Sequence, residues 1–140
     1  MKKLMLILLA VLFILSCDKS DNSSGSWIKL DNVSPKSGSS VAINDALSMT
    51  ISYNISQEYT EGNGFKLRIE TNTDNSSWTS LSSGILEKRS DEFDYDTYFN
   101  RHVGYGDYSK IEIRLTISRL SNDQNTVICT SDVIKYTFIK

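Results

Sequence analysis

The sequence predicts an all-β domain of two antiparallel sheets packed face to face, and three segments carry that reading. Leu47, Met49, Ile51, Tyr53 and Ile55 alternate with Ser48, Thr50, Ser52 and Asn54. Phe65, Leu67 and Ile69 alternate with Lys66, Arg68 and Glu70. Ile111, Ile113, Leu115 and Ile117 alternate with Glu112, Arg114, Thr116 and Ser118. A strand sends successive side chains to opposite faces, so an apolar set at period two means one buried face and one wet face. At the helical period the same residues would scatter around the cylinder.

Taken from the N-terminus, residues 1–17 read MKKLMLILLAVLFILSC. Lys2 and Lys3 give a positive start, and Leu4 to Leu15 is an unbroken apolar run. As a helix that run is about 18 Å long, well short of the ~30 Å hydrocarbon core, so it reads as a secretory signal rather than a permanent span. Ile14-Leu15-Ser16-Cys17 resembles the lipobox of bacterial lipoproteins, where aliphatic and small residues precede the cysteine that becomes the acylated N-terminus. The resemblance implies a signal peptide at 1–16 and lipidation of Cys17 by palmitate-class chains. It also implies a membrane-anchored place in the bacterial cell envelope, on the outer membrane or the cell surface. Each buried methylene contributes about 0.8 kcal/mol, so several acyl chains make such an anchor effectively permanent. Residues 18–26 are polar throughout and, with Cys17, are expected to form a flexible tether, 17–26. Cys129 is then the one free thiol, and beside Val127 and Ile128 it is expected to be buried and inert.

The domain proper spans 27–140. Trp27-Ile28-Lys29-Leu30 is its first strand, ended by the turn residues Ser34-Pro35-Lys36-Ser37-Gly38. Short strands are expected at Ser77–Leu81 and Glu92–Tyr95, a hairpin loop between Leu120 and Val127, and final strands at Val127–Cys129 and Val133–Ile139. Holding Val127 and Cys129 on the same face as Ile134, Tyr136 and Phe138 requires a bulge or break near Thr130-Ser131-Asp132. No helix of useful length is evident. The rhythm of about seven strands, the Val33-Ser34-Pro35 start and the long Tyr108-preceded strand at 111–120 resemble immunoglobulin-like and fibronectin type III-like modules of bacterial surface proteins. That resemblance implies a single antiparallel two-sheet sandwich whose loops gather at its ends. The paired core cysteines of true immunoglobulin domains are absent.

Composition narrows the function. The 140 residues carry a net charge of −2, which removes the general electrostatic case for nucleic-acid binding. A single histidine excludes a zinc site built on two or three histidines, and no Gly-X-Ser-X-Gly elbow accompanies His102. His102 beside Arg101 reads as a solvated loop residue. A domain of this size seldom offers a cleft between two carboxylates, so the chain is read as non-enzymatic and without a required cofactor.

The one unusual segment is 91–108, which mixes aromatic with acidic residues. Three readings compete. Phe93 and Tyr95 are core residues of a strand with an acidic outer face, and the other tyrosines pin a loop. Alternatively, Tyr98, Tyr105 and Tyr108 present flat faces to a glycan or a protein partner. In the third, Asp94, Asp96, Asn100 and Asp107 bind calcium. The function expected is a binding, adhesion or display module at the envelope. Alternatives are a small carbohydrate-binding lipoprotein, or an accessory of an envelope complex recruited through a sheet edge such as 127–139.

Overall fold

The computed structural model describes residues 25–56, 64–74, 76–104, 106–121 and 124–139. The signal segment, Cys17, most of the tether and Tyr105 lie outside the described residues. The described chain is all β apart from one short helix. Its elements are β1 (Trp27–Ser34), β2 (Ser40–Val41), β3 (Ala46–Asn54), β4 (Phe65–Thr73), β5 (Thr79–Ile85), β6 (Ser90–Tyr98), α1 (Phe99–Val103), β7 (Lys110–Ser121), β8 (Gln124–Thr130) and β9 (Ile134–Phe138). One sheet has the order β1-β3-β6, and the other β2-β9-β7-β4-β5 with β8 also paired to β7.

The three alternating segments are the centre of both sheets, because a strand that buries one complete face has to be covered on it. Leu47, Met49, Ile51 and Tyr53 of β3 join Phe65, Leu67 and Ile69 of β4 and Ile111, Ile113, Leu115 and Ile117 of β7 in one apolar cluster. Burying each such side chain contributes about 1.5–3 kcal/mol. Phe99 of α1 closes the cluster, edge-on to Tyr136 at 4.8 Å and to Phe138 at 6.0 Å between ring centroids. The buried Tyr136 hydroxyl donates to the Pro35 carbonyl at 2.8 Å, tying β9 to the turn after β1.

Two details depart from the expectation. The sheets are mixed rather than purely antiparallel, since β2 pairs parallel to β9 through Ser40↔Thr137 and Val41↔Phe138. Nine strands are described rather than about seven, and the two-residue β2 in the turn after Pro35 is the one that was not expected. The final segment, 124–138, runs along one edge of β7 as β8 and then β9.

The division falls at Ser131, within the segment where a bulge or break is required. The Ser131 hydroxyl accepts the Leu115 N–H at 2.9 Å in place of a ladder carbonyl. A second register shift, opposite Ile117/Ser118, turns Val127 outward while Ile128 and Cys129 pack against the core.

Candidate functional site

The region between β6 and β7 is built on a turn far away in sequence. In the β2–β3 turn, the Ala42 N–H donates to the Asp45 carboxylate at 2.7 Å, and the Asp45 N–H donates to the Ala42 carbonyl at 3.0 Å. Aspartate closes such turns because its short side chain reaches its own backbone. The carbonyls of Ile43 and Asp45 then accept the N–H groups of Asn100 (2.8 Å) and Phe99 (3.1 Å). Those are the first donors of α1, which no side chain caps. Docking of the helix on the turn brings Asn100 against Asn44, and the Asn100 Nδ2 donates to the Asn44 Oδ1 at 3.0 Å.

Tyr98 ends β6 in extended conformation, directly opposite Ala46, and is 54% exposed. With Asn44, Asn100 and Arg101 it lines an open groove of about 450 Å³. The single Asn–Asn hydrogen bond uses one donor and one acceptor. Among the described residues no hydrogen bond engages the Asn44 amide nitrogen, a donor, or the Asn100 carbonyl oxygen, an acceptor. Arg101 is exposed and forms no ion pair among the described residues. A flat aromatic face, an amide donor, an amide acceptor and a guanidinium can hold a polar ring: stacking covers its C–H face, and the amides meet its hydroxyls.

The other predicted residues are placed differently. Tyr108 is half-buried against the core cluster, and a side chain on Gly106 would collide with its ring. It is thus a packed residue with its backbone neighbour kept bare. Phe93 and Tyr95 are half-buried against the same cluster, whereas Glu92, Asp94 and Asp96 stand on the exposed face of β6. Asp94 accepts the Thr50 hydroxyl at 2.9 Å and Glu92 the Ser52 hydroxyl at 3.0 Å, so these carboxylates are held by the neighbouring strand. Asn100 belongs to the groove and Asp107 to the loop before β7. Among the described residues, no three His, Cys, Asp or Glu side chains are grouped to hold a metal ion.

His102 corrects the solvated-loop expectation: it is 3% exposed, and neither ring nitrogen has a hydrogen-bond partner among the described residues. Its ring meets Tyr95 edge-on at 6.2 Å, and burial pulls the imidazole down to about 4. Phe99 and His102 are three apart, hence on one face of α1, and that spacing was the signal for burial. For Cys129, burial pushes the thiol up to about 11, so little thiolate is present at neutral pH. Asn44 and Arg101 are groove residues that sequence reasoning missed. No local pattern links Asn44 to a helix 56 residues away.

No family model matches the chain, and no curated protein matches it. Among solved structures it is similar to a conjugative transposon lipoprotein from Bacteroides eggerthii DSM 20697, with a TM-score of 0.40 and 12% identity. The likeness covers 82% of this chain and 97% of that one. No helix among the described residues is long and apolar enough to cross a membrane.

Proposed function

We propose that this chain is a lipid-anchored, non-catalytic binding module of the bacterial envelope, held by Cys17 and binding a saccharide in the Tyr98 groove. The observation that carries the ligand reading is the convergence of an exposed aromatic with the unused Asn44 donor and Asn100 acceptor. The hydroxyls of a sugar suit both groups, one accepting from the amide nitrogen and another donating to the carbonyl. The architecture supports an immunoglobulin-like reading: β1, β3 and β6 stand where strands A, B and E stand, and β4, β7 and β9 where C, F and G stand. The groove then lies at the end of the sandwich formed by the A–B and E–F connections, opposite the end where variable-type modules carry their B–C and F–G binding loops.

The test is a glycan array probed with the full chain and with Tyr98→Ala. Saturable binding weakened at least tenfold, with the melting temperature unchanged, supports the reading; binding indifferent to Tyr98, or none to any glycan, removes it. The anchor is tested separately, because Cys17→Ser should release the chain from envelope membranes without altering glycan binding.

A further inference from the structure

The edge strand β5 is the second feature of the surface that asks for a partner. It ends its sheet, pairs only with β4, and every residue from Thr79 to Ile85 is exposed. Natural edge strands are protected by charge, proline, bulges or a covering element. In this chain β6 carries Glu92, Asp94 and Asp96, β1 carries Lys29 and a register shift, and β9 is flanked on both sides, by β7 and β2. The last point takes residues 135–139 of the 127–139 segment out of consideration as a free edge. By contrast, no charged residue or proline occurs from Ser76 to Leu86, and the single register shift in β5, at Leu81, leaves Ser82–Ile85 in regular register with β4. Ile85 is 64% exposed.

Next to this edge lie two cations. The register sets Arg68 opposite Ser83 and Lys66 opposite Ile85, all on the outer face of the sheet. Glu70 and Glu112 are already paired, with Arg114 at 2.9 Å and Lys135 at 2.8 Å, while Lys66 and Arg68 form no ion pair among the described residues. A strand added to β5 would sit about 9–10 Å from β4, within reach of Arg68 across the small Ser83 and of Lys66 across Ile85.

We infer that β5 accepts an extended polypeptide strand from another protein, bearing carboxylates at alternate positions, by backbone pairing and by charge pairing with Lys66 and Arg68. The chain's own acid-bearing edge, β6, is a poorer occupant, because Ser52 and Thr50 already hold Glu92 and Asp94. Unlike the groove, this surface recognises backbone, and it does not depend on the saccharide reading.

The experiment pans a library of random twelve-residue peptides against the full chain in detergent micelles. Enriched peptides are then titrated by fluorescence anisotropy. The expected result is enrichment of Asp or Glu at alternating positions, with binding weakened roughly 3–10-fold by Lys66→Gln/Arg68→Gln. Ser83→Glu, which offers Arg68 a carboxylate in place and repels an acidic strand, should weaken it at least as much. Both variants should keep the wild-type melting temperature, since all the changes are on exposed or half-exposed positions. Enrichment without acidic bias, or binding unaffected by either variant, overturns the inference. So does binding lost instead in Tyr98→Ala. Oligomers of the chain that dissociate in Ser83→Glu would assign the edge to a second copy and overturn it as well.

Discussion

The edge strands β5 and β6 differ although each pairs with only one neighbour. Along β6, exposed positions alternate with half-buried ones; along β5 every position is exposed. The difference lies in what their inward positions supply. Phe93 and Tyr95 give β6 two aromatic side chains that reach the common cluster. The corresponding positions of β5, opposite Leu67 and Ile69, are Gly84 and Ser82, which have nothing to bury. Burial of an edge strand is thus decided by its side chains and not by its hydrogen bonds. A strand held by its ladder alone is left as a surface.

This contrast can be probed in order of expected effect. The β6 side holds a buried ionisable group, His102 against Tyr95, and among the described residues no counterpart adjoins β5. The unfolded imidazole titrates near 6.5 and the folded one at about 4, so between those values the unfolded chain binds more protons. Stability from this residue is complete above pH 6.5 and is lost as pH falls towards 4, by about 3 kcal/mol in all. Urea unfolding across that window should show the loss in the wild type and a flatter profile in His102→Leu, which also relieves two unpartnered ring nitrogens. An unchanged slope in the variant would assign the acid sensitivity to carboxylates.

Next come truncations. Phe93→Ala on β6 should cost about 2–3 kcal/mol, whereas Ile85→Ala on β5 should stay within about 0.5 kcal/mol. Comparable losses at both sites would mean that β5 is covered in solution. The smallest effect belongs to the hydroxyl ladder: Thr50→Val leaves Asp94 without its 2.9 Å partner on an exposed face, and denaturant melts should register about 0.5–1 kcal/mol.

The same contrast explains what could be read from the residues. β3, β4 and β7 were legible because their apolar residues recur at period two without an error, and only one environment satisfies that pattern. Phe93 and Tyr95 among acids were legible for the same reason. In β5, Ser-Leu-Ser-Ser-Gly has no period, so only a short strand at Ser77–Leu81 was expected where the structure has Thr79–Ile85. The parallel pairing of β2 was invisible, since two residues carry no pattern and their partner is nearly a hundred residues away.

Of the three tyrosines grouped by proximity in sequence, Tyr98 alone is exposed among those described. Strand phase puts it outward beside Asp96, while Tyr108 is drawn onto the core. The groove itself was only partly legible. Asn100 stood out for its chemistry, but its partner Asn44 arrives through the fold.

Whether the groove and not the edge is the saccharide site is tested directly by chemical-shift mapping. The isotope-labelled chain would be titrated with whichever glycan the array ranks first. The account predicts shifts centred on the side-chain amides of Asn44 and Asn100 and on the backbone of residues 98–101, with β5 silent. Shifts confined to β5 and the outer face of β4, or dispersed without a centre, would contradict it.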